Sequence, residues 1–322
     1  MWFAGGNQSA GAIFTLFFSE YPDLQVPLFL VFLTVYAVTM VGNLGMVTII
    51  RISPKLHTPM YFFPSHLSLV DFCYSTTVTP KLLENLVVED RTLSFTGCIM
   101  RLFLACMFAV AEAFMLAVMA YDQFVAICKP LLCTAVMSPK LYASLVACPY
   151  MWGVVSSLTL TCPLQTLSFC GSNIMNNFPC EHSAIVSVSR SDPFISQVIS
   201  FAISTFNEVS SLAIIFTTCI STFGTIIKMP SAGGRQKAFS TCASHLTAII
   251  MFHGTILFLY SVPRPKNSWL RVKVGSVFYI VVSPMLNPLI YSLRNKDVKE
   301  SVRKLMNHLI QFGRRSVCPK EI

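Results

Sequence analysis

The sequence predicts an all-α membrane protein, in which seven transmembrane helices form a bundle and a short amphipathic helix follows near the C-terminal end. Composition is the first reason, because 54% of the 322 residues are hydrophobic and only 11% are charged. Soluble domains usually carry about 25% charged residues. The second reason is that the charges cluster between long apolar runs. A helix needs roughly 20 apolar residues to cross a bilayer core, and seven runs reach that length.

The seven runs each contain at most one charged residue, and the third is expected to continue to about Cys128. Backbone groups in lipid must be satisfied within the segment, and runs this evenly apolar predict helices rather than the alternating strands of a barrel. The connecting segments outside the bilayer core are expected to include residues 81–101 and 161–192. The predicted spans are residues 26–50, 60–80, 102–121, 141–160, 193–227, 238–262 and 274–293.

The distribution of basic residues predicts the orientation of the chain in the membrane. Most of the 23 Lys and Arg residues face the cytoplasm if the C-terminus is placed there, as the positive-inside rule requires. The net charge of +9 is therefore interpreted as an orientation signal, and no nucleic-acid partner is expected. The sequon Asn7-Gln8-Ser9 predicts glycosylation of Asn7. We expect a single domain, 1–322, with an extracellular segment 1–25, a bundle 26–293 and a cytoplasmic tail 294–322.

The tail contains apolar residues at the spacing of one helix face, with basic residues elsewhere around the helix. Such a helix lies on an anionic inner leaflet, so membrane lipid is an expected partner. The alternative is a solvated basic tail. The apolar positions are Val298, Val302, Leu305, Leu309 and Phe312.

Five short segments occur in order at or near the expected span ends: GN at residues 42–43, LHTPMYFF at 56–63, MAYD at 119–122 with VAIC at 125–128, KAFSTCASHL at 237–246 and PMLNPLIY at 284–291. Together they resemble olfactory receptors of the rhodopsin-like, G-protein-coupled class, over almost the whole chain. The resemblance implies seven helices, a small-molecule odorant as ligand, and a stimulatory heterotrimeric G protein that raises cyclic AMP. It implies no enzymatic activity and no cofactor, apart from an allosteric sodium ion.

The resemblance also places an odorant pocket among the third, fifth, sixth and seventh spans. Such pockets are mostly apolar with a few orienting polar groups, and the polar anchors are expected to be Asn207, His253 and Tyr260. Ordinary helix packing is the alternative for each pocket residue. The expected ligand-binding residues are Cys106, Ala109, Val110, Ile203, Asn207, His253, Ile256, Tyr260 and Ile280.

Three acidic residues lie inside the spans. A carboxylate at mid-bilayer is costly and indicates function by default. The resemblance implies that Asp71 and Glu112 hold the sodium ion, with help from Asn43 and the seventh span. The alternative is that one carboxyl is protonated and bonds the other. Glu208 either lines the pocket or is a buried neutral acid.

Cysteines at the outer span ends are expected to lie in an oxidising compartment. Cys98 and Cys180 resemble the disulfide that fastens the long outer loop to the third span. Cys170, which the family usually pairs with a later cysteine, is either free or paired with Cys162.

The face expected to couple to the G protein departs from the family pattern. The family's Asp-Arg-Tyr reads Asp122-Gln123-Phe124 here, and Cys219 stands where the family usually has a tyrosine. Gln is neutral and cannot replace the charged group of Arg. Together with Lys237, Asp122 and Gln123 are the expected coupling residues.

These departures suggest an alternative, a coupling-defective receptor that reaches the membrane but signals weakly. Pro64 adds to it, because a proline inside the second span could bend the helix. A seven-span transporter or channel is a rival from another class. The sequence disfavours it, because there are no internal repeats and no charged path through the span centres.

Overall fold

The computed structural model describes residues 13–16, 25–57, 59–88, 92–130, 138–168, 174–175, 180, 182–261, 282–294 and 298–303. The described part is helical apart from three short strands and the connections, which confirms the all-α prediction. A helix corresponds to each predicted span: α1 (Gln25–Ile52), α2 (Pro59–Val87), α3 (Phe95–Cys128), α4 (Pro139–Thr161), α5 (Phe194–Ile227), α6 (Ala232–Ser261) and α7 (Ser283–Arg294).

Five of these helices, α1, α3, α4, α5 and α6, are long and apolar enough to cross a membrane. Of the remaining two, α2 has 29 residues but includes the charged side chains of Asp71, Lys81 and Glu84. The described part of α7 has 12 residues.

Helix α2 is longer than the sequence predicted. We expected a connecting segment from Lys81, but the helix continues through Pro64 and Pro80 to Val87. Proline removes one backbone hydrogen bond from a helix. Packing offsets this loss, because Leu82 and Leu86 after Pro80 are buried in a cluster with side chains of α1.

One end of the bundle, which we call the disulfide end, carries Cys98 and Cys180. A small sheet that the sequence did not predict contains β1 (Ile13–Leu16), β2 (Thr92–Ser94) and β3 (Ile174–Met175). Strand β1 is central, antiparallel to β2 and parallel to β3. A short helix, His182–Ser187, buries Ile185 against the disulfide and the first turns of α3.

Helix α3 lies at the centre of the bundle, packed against α2, α4 and α5. Small residues on α3, such as Ala111 and Ala117, are buried and allow close packing. Helices α3 and α4 come close together at Gly153 of α4, where an added Cβ would lie 2.6 Å from the carbonyl oxygen of Met107. Only glycine fits this α3–α4 contact without movement of a backbone.

The opposite end of the bundle, which we call the tail end, carries a helical segment at residues 298–303. Val298 is buried there against Met46, Leu56 and Tyr61. The predicted tail helix is therefore present over these residues. Its further apolar positions, Leu305, Leu309 and Phe312, lie outside the described residues.

Candidate functional site

Two buried carboxyl groups share one hydrogen-bond donor at the centre of the bundle. The Asn287 side-chain nitrogen Nδ2 donates to Asp71 Oδ2 at 2.9 Å and to Glu112 Oε1 at 3.3 Å. All three residues are buried, and Asp71 Oδ1 has no hydrogen-bond partner. We call these residues the central polar cluster. The sequence pointed to the seventh span as a contributor, and the structure identifies Asn287 as the residue.

Asn43 of α1 lies beside α7, and its side-chain nitrogen donates hydrogen bonds to backbone carbonyl groups. Its Nδ2 donates to the carbonyl oxygens of Thr39 and Pro284, both at 3.0 Å. Pro288 has no N–H, so the carbonyl of Pro284, four residues earlier, lacks its helical donor. Asn43 supplies that donor and joins α1 to α7. Its own oxygen, Oδ1, is buried without a partner.

Asn207, an expected polar anchor of the pocket, is engaged by a neighbouring helix. Its Oδ1 accepts a 2.7 Å hydrogen bond from the indole nitrogen Nε1 of Trp152 on α4. Asn207 is buried. This hydrogen bond fixes the orientation of the Asn207 amide.

His253, a second expected anchor, pairs with Glu208. Its Nδ1 lies 3.0 Å from Glu208 Oε1, which joins α6 to α5. The His253 side chain is 2% exposed. Its other nitrogen, Nε2, is buried and has no hydrogen-bond partner. Both interpretations of Glu208, as a pocket residue and as a buried neutral acid, are compatible with this contact.

The remaining expected pocket residues are distributed over different packing clusters. Cys106 packs against the cluster around the disulfide, and Ile256 packs against the central cluster that contains Phe252. Ala109 contacts the cluster between α1 and α2. Val110 and Ile203 are partly buried.

The contacts of two expected pocket residues, Tyr260 and Ile280, are not described by the structure. The side chain of Tyr260 is not among the described side chains, and Ile280 lies outside the described residues.

Cys98 and Cys180 form a disulfide that joins α3 to the segment before the short helix. The bond lies among buried apolar side chains that include Leu164. Cys162 has a free, exposed thiol, so the structure does not support its pairing with Cys170. Cys170 lies outside the described residues.

A crevice of about 40 Å³ opens at the tail end between α3, α5 and α6. We call it the tail-end crevice. Both departures from the family pattern, Gln123 and Cys219, line it. Within the described residues, no ion pair joins α3 to α6 at this end. Its lining is Ala120, Gln123, Cys219, Thr222, Phe223, Ile226, Phe239, Cys242, Ala243, His245 and Leu246.

The other two expected coupling residues are near the crevice but do not line it. Asp122 precedes Gln123 on α3 and is partly buried, and Lys237 on α6 is exposed. A polar contact between α3 and α6 is made by His245, whose Nε2 lies 3.0 Å from the carbonyl oxygen of Leu116. The sequence did not single out His245 for this role, although it belongs to the KAFSTCASHL segment.

The fold is that of a rhodopsin-type receptor. A crystal structure of squid rhodopsin matches it with a TM-score of 0.71 over 89% of this chain and 82% of that chain, at 14% identity. The olfactory receptor family profile matches residues 32–308. Human olfactory receptor 5D13 is 67% identical over 301 residues, 93% of this chain and 96% of the relative. Mouse olfactory receptor 1165 is 62% identical over 307 residues, 95% of this chain and 97% of the relative.

The class that the bundle defines is therefore the rhodopsin-like, G-protein-coupled receptors. Within that class, the chain belongs to the olfactory receptor family. Members of this family are multi-pass plasma-membrane receptors for odorants that act through G proteins, and they are not enzymes.

Proposed function

We propose that this chain is an odorant receptor that binds a small volatile molecule between α3, α5, α6 and α7. We further propose that it activates a stimulatory heterotrimeric G protein and so raises cyclic AMP. The observation that carries the proposal is the Glu208–His253 pair, which leaves one buried ring nitrogen without a partner. A small number of fixed polar groups among apolar side chains is the usual lining of a small-molecule site.

In this proposal the disulfide end is extracellular and the tail end is cytoplasmic. Disulfides persist in oxidising compartments, which supports the position of Cys98–Cys180. Exposed basic residues such as Arg51, Lys55 and Lys237 lie towards the tail end, in agreement with the positive-inside rule. Glycosylation of Asn7 would follow from this orientation.

Ligand binding is proposed to favour a bundle conformation in which the tail-end crevice is wider. A ligand shifts such an equilibrium only by its difference in affinity for the two states. Asp122, Gln123 and Lys237 are the proposed contacts for the G protein, because they lie in or beside this crevice.

A coupling-defective receptor is the second candidate, and the lining of the crevice favours it. Gln123 and Cys219 line the crevice, and His245 is the one lining residue with an ionisable nitrogen. Neutral Gln cannot supply the charge-assisted hydrogen bonds of an arginine.

The experiment compares the unmodified chain with Gln123→Arg and a matched neutral control, Gln123→Met. Surface staining and cyclic AMP are recorded in cells that contain an olfactory-type stimulatory G protein, against a broad odorant panel. A response of the unmodified chain supports the receptor with efficient coupling. A response of Gln123→Arg alone, at equal surface staining, supports the coupling-defective receptor. Silence of all three at the surface contradicts both.

We also propose that the central polar cluster holds a sodium ion. Two buried oxygens without hydrogen-bond donors, Asp71 Oδ1 and Asn43 Oδ1, are hard ligands of the kind that such a cation prefers. Asp71 and Glu112 would supply the negative charge. The purified receptor should unfold at a higher temperature in sodium chloride than in choline chloride at equal ionic strength. Asp71→Asn should remove that difference, whereas equal midpoints for the unmodified chain would contradict the proposal.

A further inference from the structure

At the disulfide end, α2 presents polar side chains to α3. Thr77, Lys81 and Asn85 recur every fourth residue and therefore lie on one face of α2. Arg101 of α3 donates from Nε to the carbonyl oxygen of Thr77 at 3.1 Å, which places its guanidinium group beside this part of α2. We call these four residues the α2–α3 polar patch. None of them belongs to the proposed odorant pocket, to the central polar cluster or to the tail-end crevice.

The patch contains more positive than negative charge. Lys81 is only 8% exposed, and its Nζ lies 2.8 Å from Glu84 Oε1. Glu84 is also the acidic residue that interacts electrostatically with Arg101. Among the described residues, Glu84 forms its ion pair with Lys81, and Arg101 forms none. Arg101 Nη1 is buried and has no hydrogen-bond partner, although buried charged groups are normally paired.

Asn85 gives an independent indication of a ligand at the same place. It is 2% exposed, yet neither its Nδ2 nor its Oδ1 has a hydrogen-bond partner. Buried polar groups in native proteins are nearly always hydrogen-bonded, and an unsatisfied one costs about 1–3 kcal/mol. Asn85 lies one helical turn beyond Lys81, so the two residues share one face of α2.

We propose that the α2–α3 polar patch binds the carboxylate of a small amphiphilic acid. The carboxylate would accept hydrogen bonds from Arg101 Nη1 and Asn85 Nδ2, and its single negative charge would balance the excess positive charge. The planar guanidinium matches carboxylate geometry well. Glu84, the partner of Lys81, is half exposed, so one edge of the patch is open to solvent. This assignment goes beyond the proposed odorant function, because it adds a separate binding site.

The test measures ligand binding without signalling, so its failure is separate from failure of the proposed function. The purified full-length receptor is placed in nanodiscs of neutral phosphatidylcholine. Its thermal unfolding midpoint is then titrated with hexanoate and with the neutral isostere hexanamide. Hexanoate should raise the midpoint in a concentration-dependent manner, and hexanamide should not. Equal shifts by the two compounds would overturn the assignment.

Two variants and a control locate the effect in the patch. Arg101→Gln keeps a donor near Thr77 but removes the charge, and should weaken the apparent affinity for hexanoate at least about tenfold. Lys55→Met removes an exposed cation at the tail end and should leave the affinity unchanged. Should Arg101→Gln fold poorly, Asn85→Asp replaces it. That variant supplies a carboxylate to the patch, so it should raise the midpoint without ligand and abolish the hexanoate effect.

Other sources of an oxyanion are distinguished by two further titrations. Inorganic phosphate, or phosphatidylglycerol in place of some of the neutral lipid, should give no shift that depends on Arg101. If either reproduces the hexanoate shift and loses it in Arg101→Gln, the ligand is not a small carboxylic acid and the proposal is overturned. An unchanged hexanoate affinity in both Arg101→Gln and Asn85→Asp would also overturn it.

Discussion

The central polar cluster and the tail-end crevice both include residues of α3, yet they differ in how their polar groups are satisfied. Glu112 and Gln123 are separated by about 16 Å along the helix axis, at 1.5 Å per residue. In the cluster, one amide of Asn287 bridges two buried carboxyl groups. In the crevice, Gln123 and Cys219 border open space.

This difference indicates which part of the bundle supports folding and which part is free to change. An interior with bridged carboxyl groups loses stability when the bridge is removed, because buried acceptors are then left without a donor. Gln123 and Cys219 are neutral, only partly buried and next to open space, so substitutions at these two positions should be tolerated. We therefore expect stability to depend on the cluster and on the packing around α3, and coupling to depend on the crevice.

The largest effect is expected from Asn287→Leu. It leaves Asp71 Oδ2 and Glu112 Oε1 without their shared donor, and should lower the free energy of unfolding by about 3 kcal/mol. The measurement is the thermal unfolding midpoint of the purified receptor, with surface staining in cells. The half-exposed Leu289 on the same helix gives the control Leu289→Ala, expected to change stability by about 0.5 kcal/mol. Similar unfolding midpoints for the two variants would show that the central polar cluster contributes no more to stability than an exposed position does.

A smaller but clear loss is expected from Gly153→Ala. The added Cβ would lie 2.6 Å from the Met107 carbonyl oxygen and force α3 and α4 apart, at a cost of about 2 kcal/mol. Gly45→Ala on α1 is the matched control, since nothing lies within 4 Å of its added Cβ. The control should be neutral or more stable by up to about 1 kcal/mol, because alanine favours helix. The thermal unfolding midpoints of the two variants are compared. A midpoint of Gly45→Ala as low as that of Gly153→Ala would contradict the packing argument.

His245→Leu removes the hydrogen bond to the Leu116 carbonyl, which joins α6 to α3 at the inner side of the crevice. We expect a loss of about 1 kcal/mol, typical of one hydrogen bond. Thr247→Val is its control, because the exposed Thr247 bonds only to its own helix. The unfolding midpoints of the two variants are compared. An unchanged midpoint for His245→Leu would mean that this bond does not hold the helices together.

The smallest effect on stability is expected from Gln123→Arg. The residue is half-buried beside open space, so the unfolding free energy should change by no more than about 0.5 kcal/mol while the cyclic AMP response rises. Unfolding midpoint and response are measured on the same preparations of cells and receptor. A loss of stability as large as that of Gly153→Ala would show that the crevice also supports the fold.

Much of the helical framework was predictable, because the thickness of the bilayer sets the minimum length of an apolar run that can cross it. The predicted ends of the helices were less accurate where a helix continues beyond the bilayer core. The extension of α2 beyond Pro80 depends on the burial of Leu82 and Leu86, which hydropathy does not reveal. The small sheet was missed because its strands are only two to four residues long and far apart in the chain.

The candidate site was predictable in its residues more than in its contacts. Asp71 and Glu112 were selected because carboxylates inside spans are costly, and His253 because the resemblance places it at the odorant pocket. Their partners, Asn287 and Glu208, depend on how α2, α3, α5, α6 and α7 are rotated about their axes. The sequence contains no direct record of those rotations.

The membrane character of this protein, its helical class and its family could be predicted from the sequence, because composition, apolar run length and ordered motifs are properties of the chain. The pairing of polar groups could not, because it depends on how the helices pack. Asn43 was selected from the sequence as a polar neighbour of a cation, and the structure adds that its amide nitrogen donates to the Pro284 carbonyl, which Pro288 deprives of its helical partner. Lys81, Asn85 and Arg101 look like unrelated polar residues in the sequence, and become one patch only because α2 packs against α3. The physical reason is that hydrogen bonds and charges act over a few ångströms, so their partners are set by packing and not by position along the chain.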